Sequence, residues 1–105
     1  MTGPSETRIM LYILAQLRER YPDSLWERQN VIVAQTGNRA IRANTPGSAD
    51  IRGCHKSRYI ELEVKTTTGR QTPPQINRQL NVMRAGGIYA VVHNLDEALA
   101  VVKTL

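Results

Sequence analysis

Apolar residues Ile9, Met10, Ile13, Leu14, Leu17 and Tyr21 return at helical spacing, so the pattern predicts an amphipathic helix from Ser5 to about Tyr21, stopped by Pro22-Asp23. Residues 1–4 read as a flexible lead, with Pro4 suited to a first helical turn. The period then changes. Leu25 to about Gln35, with Val31-Ile32-Val33, reads as a strand; Thr36-Gly37-Asn38 is turn chemistry, and Arg39 to Ala43 is a candidate partner strand. After the loop 44–48, Asp50 to Gly53 reads as a short strand that turns through Cys54 to Ser57. Arg58 to Lys65 alternates, with Ile60, Leu62 and Val64 on one face and Tyr59, Glu61, Glu63 and Lys65 on the other.

Thr66 to Thr72 is a polar loop, and Pro73-Pro74 opens a helix whose apolar residues are Ile76, Leu80 and Met83 and whose stop is Gly86-Gly87. Ile88 to Val92 is an apolar strand. Asn94 reads as the cap of a short turn, and Leu99 to Val102 is an apolar segment that fits a strand or a helix. The order α-β-β-β-β-α-β predicts an α/β fold with a central mixed sheet flanked by helices. At 105 residues this is one domain, 1–105.

Composition narrows the setting. With no Phe, one Trp and four Tyr, the core must be aliphatic. No run of eighteen apolar residues spans a membrane, and no secretory pattern opens the chain. The single Cys54 forms no internal disulfide and is expected as a small buried or half-buried filler in a reducing cytoplasm. His55 and His93 lack zinc spacing and read as structural. A net charge of +5 favours a polyanionic partner.

The chemistry concentrates in two segments. Gly47-Ser48-Ala49-Asp50 sets an acid after a glycine turn, and Glu63 and Lys65 project from one strand face. Two carboxylates and an ammonium on one spot suit magnesium-dependent phosphodiester hydrolysis, with Asp50 and Glu63 as ligands, the Val64 carbonyl as a third oxygen and Lys65 stabilising developing charge. The same alternation also describes an amphipathic strand with a solvated face. At roughly 100° per residue, Glu6 falls in the apolar stripe of its helix. It answers there either to the helix dipole, in the first turn, or to the metal site that it would face.

Gly47-x-x-Asp50, Ile60-Glu61-Leu62-Glu63-Val64-Lys65 and Thr68-Gly69-Arg70-Gln71-Thr72-Pro73-Pro74-Gln75, followed by Ala85 to Val92, together resemble the VRR-NUC family of the PD-(D/E)xK nuclease superfamily. The resemblance runs from Glu6 to about Leu99. Ala49 stands where the wider superfamily often has proline. It implies a restriction-endonuclease-like PD-(D/E)xK core, order αβββ(β)αβ, with Asp50 and Glu63 as metal ligands and Lys65 as the catalytic lysine. Gln75 is then a polar residue near metal or phosphate, Glu6 the first-helix acid, and Glu61 a neighbour outside the ligand set.

Magnesium, with manganese as a substitute, is the implied cofactor, and no organic cofactor is expected. Arg70, Arg52, Lys56 and Arg78 are the first candidates for DNA contact, with Arg39, Arg42 and Arg58 behind them. Stand-alone members resemble Holliday junction resolvases, so a homodimer cutting branched DNA is expected, in the cytoplasm of a bacterial or phage-infected cell. The alternatives are the same chemistry on flaps, nicks or linear duplex, and a non-catalytic DNA-binding module of the same fold.

Overall fold

The computed structural model describes residues 5–29, 33–36, 39–42 and 45–105, with the side chains of 33–36 and 39–42 left aside. The expectations placed on residues 1–4, Val31-Ile32 and Gly37-Asn38, and on the side chains of Arg39 and Arg42, fall outside the described residues.

The first helix forms as its pattern predicts. Helix α1 spans Glu6–Arg20; the Ser5 hydroxyl caps it by accepting the Arg8 N–H at 3.2 Å. Its stripe Met10, Ile13, Leu14 and Leu17 is buried. The long strand expected over 25–35 is instead split. Strand β1 (Leu25–Arg28) pairs antiparallel with β4 (Ile51–His55), whereas β2 (Val33–Thr36) and β3 (Arg39–Arg42) form a separate antiparallel pair. The β1 ladder ends where its partner begins, at Arg28 opposite Ile51. There Gln29 ties itself to the loop before β4, donating its N–H to the Asp50 carbonyl at 2.7 Å.

Strand β4 runs two residues further than its sequence suggested. Lys56 (φ 50°) and Ser57 (φ 65°) make a tight turn with both residues left-handed, so pairing with β5 (Arg58–Val64) continues through Cys54 and His55. Parallel to β5 lies β6 (Ile88–Val92), reached through α2 (Pro73–Arg84). The chain closes on α3 (Leu95–Lys103), capped by the Asn94 side chain accepting the Glu97 N–H at 2.9 Å. This helix resolves the ambiguity over 99–102. The result, among the described residues, is an α/β fold: a mixed four-stranded sheet, β1-β4-β5-β6, with three helices.

The two faces of the sheet differ. Ile51, Ile60, Leu62, Val64 and Val92 point to one face and pack under α1 and α3 in the main core. On that side Trp26, Tyr21 and His55 cluster, with ring centroids 5.1 Å apart for Tyr21–His55 and 6.3 Å for Trp26–His55; His55 Nδ1 is hydrogen-bonded to Ser24 Oγ at 2.6 Å. His55 is therefore structural, and His93 likewise pairs with Glu97 at 2.8 Å.

On the other face, among the described residues, α2 covers the β5 and β6 side. The bare half, around β1 and β4, holds a shallow depression of about 250 Å³ lined by Leu25, Glu27, Arg52, Gly53, Cys54 and Tyr59. Cys54 is exposed there and is not a core filler, because no helix among the described residues covers its side of β4.

Helix α2 carries the largest departure from the sequence pattern. Its expected apolar face, Ile76 (47% exposed), Leu80 (47%) and Met83 (56%), points outward. Arg78, Gln79 and Val82 face the sheet, and α2 can dock this way because buried acceptors wait below it. Arg78 binds Glu61, and Gln79 Nε2 donates to the Tyr89 carbonyl at 3.4 Å. Among the described residues no helix is long and apolar enough to cross a membrane.

Candidate active site

Because β4 and β5 are antiparallel, the residue that precedes β4 and the last residues of β5 meet at one end of the sheet. Asp50 Oδ2 accepts the Val64 N–H at 2.8 Å, across that end. The sequence assigned the Val64 carbonyl to a ligand set; the contact seen is the Val64 N–H on Asp50. Glu63, one residue earlier on the α2 face, lies beside Asp50, close enough for each carboxyl to perturb the other. Lys65 Nζ lies 3.6 Å from Glu63 Oε1, with side-chain exposures of only 11% and 6%. The lysine is fixed at the strand end, where its N–H donates to the Val92 carbonyl at 3.0 Å.

Two neighbouring acids, drawn away from water, resist ionising. Burial pushes the Glu63 carboxyl up to about 7, the Asp50 charge adds to this, and Lys65 opposes it. Asp50 is raised as well, first by burial and also by the charge of Glu6, with the Val64 N–H pulling the other way. Glu6 thus belongs to the neighbourhood. Its Oε1 accepts the Thr66 N–H at 3.3 Å, and a Cβ at Gly69 would stand 3.2 Å from that oxygen and 3.3 Å from the Lys65 side chain. The loop after β5 therefore passes close to both the first-helix acid and the lysine, and glycine leaves them room.

The loop carrying Asp50 is pinned from several sides. Gly47 has φ +85°, and a Cβ there would fall on the Pro74 carbonyl, so the turn rests against the start of α2. The Tyr89 hydroxyl donates to the Gly47 carbonyl at 3.2 Å, and Gln29 Nε2 donates to the Ala49 carbonyl at 3.1 Å. Burial, with the charges of Glu63, Glu61 and Asp50, pushes the Tyr89 phenol up, so it remains a donor. Tyr89 escaped sequence reading, since one tyrosine in an apolar strand resembles core.

The other nominated residues separate. Gln75 closes a capping box: its Oε1 accepts the Thr72 N–H at 2.9 Å and its own N–H goes to the Thr72 hydroxyl at 3.4 Å. That is a helix-start role, beside Gly47 but engaged with backbone. Arg70 is exposed on the loop that carries Gly69. Arg52 projects on the bare half of the α2 face, 3.5 Å from Glu27. Lys56 sits in the turn at the opposite end of β5 and donates to the Leu105 carbonyl at 3.0 Å, and Arg58 is exposed at the same end. These two are remote from the carboxylates.

Arg78 is not a free surface cation. It binds Glu61, with Nη2 to Oε2 at 2.6 Å and Nε at 3.2 Å from both oxygens.

Magnesium keeps several of its own waters and needs one or two protein carboxylates. Asp50 and Glu63 side by side, with Glu6 nearby, fit that demand by the chemistry of the donors. Among the described residues, no group of three or more His, Cys, Asp or Glu closes on a single point. Comparison with protein-family models and with curated proteins gives no match.

Proposed function

We propose that this chain is a metal-dependent DNA endonuclease with a PD-(D/E)xK core, a member of the VRR-NUC family acting on branched DNA such as Holliday junctions. The observation that carries this reading is the meeting of Asp50 and Glu63 across the end of the β4–β5 hairpin, with Lys65 Nζ 3.6 Å from Glu63. A carboxyl pushed up to about 7 by burial, with a second acid beside it adding to the shift, favours a cation as its partner.

Asp50 and Glu63 would hold magnesium or manganese, with Glu6 at the side. The ion, when bound, supplies a Lewis acid for the phosphoryl oxygens and lowers the pKa of a bound water. The protein's own part is positional. Val64 orients Asp50, Gly69 leaves room for both Glu6 and Lys65, and Lys65 offers a positive charge where negative charge builds on phosphorus. Arg70 and Arg52 would grip backbone phosphates on either side, and the net charge of +5 would draw DNA in. A reducing cytoplasm suits the exposed Cys54.

A symmetric dimer would set two such sites against two strands. Its proposed surface is the apolar stripe Ile76, Leu80 and Met83, on the Gln79 side of α2, beside β6, which among the described residues pairs on one side only.

The test is cleavage of labelled four-way junction, flap, nicked and linear duplex DNA, with and without magnesium or manganese, by the parent and by Glu63→Ala. The expected result is metal-dependent cleavage of the junction by the parent alone, with DNA binding retained in the variant. DNA binding without cleavage of any substrate would make the chain a binding module.

A further inference from the structure

Glu61 is fully buried, yet it is a charged group with four donors around it. It lies on the same face of β5 as Glu63, one step back along the strand. Its Oε1 accepts the Ala49 N–H at 3.1 Å, the Tyr59 hydroxyl donates to Oε2, and the Arg78 fork from α2 closes the set. Burial opposes its ionisation, but the Arg78 fork, the Tyr59 hydroxyl and the Ala49 N–H outweigh that and hold the carboxyl below its ordinary range. A buried carboxylate paired with a planar guanidinium has its plane fixed, which a lysine at the same position would not achieve.

The third partner makes the arrangement more than a core ion pair. Ala49 directly precedes Asp50, and the N–H it gives to Glu61 determines how the loop enters β4. On its far side Asp50 is held by Val64. The aspartate therefore hangs between two fixed points, one of them set by α2 through Arg78 and Glu61. Small displacements of a reacting or ligating group cost large factors in rate, about 100-fold for roughly 1 Å.

We infer that Arg78 and Glu61 are positioning residues for Asp50: the Arg78 fork orients Glu61, and Glu61 seats the Asp50 loop through the Ala49 N–H. This rests on Asp50 being a metal ligand, as proposed above. It also gives Arg78 a role other than the DNA contact expected from its charge, since its fork is spent on Glu61.

The experiment compares the parent with Arg78→Met, Arg78→Lys, Glu61→Gln and the Glu61→Gln/Arg78→Met double variant. Three quantities are read: amide hydrogen exchange at Ala49 and Val64, manganese affinity of the DNA-free protein, and kcat and KM on junction DNA. Arg78→Met should speed exchange at both amides about tenfold or more and weaken manganese binding about 10–100-fold. It should lower kcat while leaving KM nearly unchanged. The double variant should be no worse than Arg78→Met, because the two residues act as one unit.

Unchanged exchange at Ala49 and Val64, with a raised KM and a flatter salt dependence of DNA binding, would make Arg78 a phosphate contact and overturn the inference. If Arg78→Met does not fold, Arg78→Lys decides on the same two amides, since it keeps the charge and loses the fork. Failure of the parent to cleave DNA or bind manganese would sink the nuclease reading, while the exchange data would still decide whether Arg78 seats this loop.

Discussion

Asp50 and Val64 are joined by a 2.8 Å hydrogen bond from the Val64 N–H to Oδ2, across the end of the hairpin where Glu63 also lies. Burial and the Asp50 charge together suppress the ionisation of Glu63, and removing the Glu63 carboxylate should relieve the conflict. Glu63→Gln is expected to lower cleavage by 100-fold or more, the order seen when one key electrostatic group is lost from an active site. At pH 8 without metal, it should leave the fold as stable as the parent or more so. Steady-state cleavage and urea titration of the same preparation check both halves. A less stable variant would mean that the two acids do not oppose one another.

The raised Glu63 carboxyl gives a sign for pH dependence. Between its ordinary value of 4.5 and about 7, the folded chain holds a proton that the unfolded chain has released. Stability must therefore fall as pH rises through that window, by about 1–3 kcal/mol once solvent screening is allowed for. Asp50, also raised, acts in the same direction. Melting curves in chelator from pH 5 to pH 8 should show the decline, and magnesium at pH 8 should reverse it by binding only the folded form. A flat profile in chelator would contradict the assignment of a raised pair.

Lys65 has a charge role that can be separated from its place in the fold. Lys65→Met keeps most of the stem and should retain DNA binding within a few-fold while losing cleavage by about 100-fold or more. Single-turnover rates with saturating enzyme isolate the chemical step. A variant that cleaves at the parental rate would remove Lys65 from the mechanism.

Gly47 is constrained twice, by its φ of +85° and by the Pro74 carbonyl that a Cβ would meet. Gly47→Ala should destabilise the chain by about 2–4 kcal/mol, since backbone strain and a clash with main chain add together. Chemical denaturation measures this directly. A loss below about 0.5 kcal/mol, the scale of ordinary surface changes, would show that the turn can move away from α2.

The exposed stripe on α2 supplies a test of assembly. Leu80→Glu or Met83→Glu should convert a dimer to a monomer in sedimentation velocity, with helical content unchanged. A monomeric parent would reject this surface, and the symmetric arrangement with it.

Much of the fold could be read from period alone. The α1 stripe, the β5 alternation and the Gly86 stop all appear where sequence placed them, because each is a local preference that tertiary contacts reinforce. The orientation of α2 could not be read in this way. Its apolar residues mark the wrong side, since Arg78 and Gln79 find buried acceptors on Glu61 and Tyr89 that lie elsewhere in the chain.

The same long-range partner separates the two acids of β5. Alternation gives Glu61 and Glu63 one face, and only the arrival of Arg78 turns the first into a buried ion pair and leaves the second facing Asp50. The split of the 25–35 segment was also hidden. No property of that run reveals that β4, its partner, begins at Ile51.

The tight turn at Lys56-Ser57 governs something remote from itself. Every pair from Arg58 opposite His55 to Leu62 opposite Ile51 is counted from that turn. Deleting or inserting one residue in either arm would carry Leu62 or Val64 into the place of Glu63 and bring a methyl-bearing side chain against Asp50. Changes of length within this hairpin are therefore tolerable only in matched pairs, so the spacing between Asp50 and Glu63 should resist drift far more than the loops on either side of it.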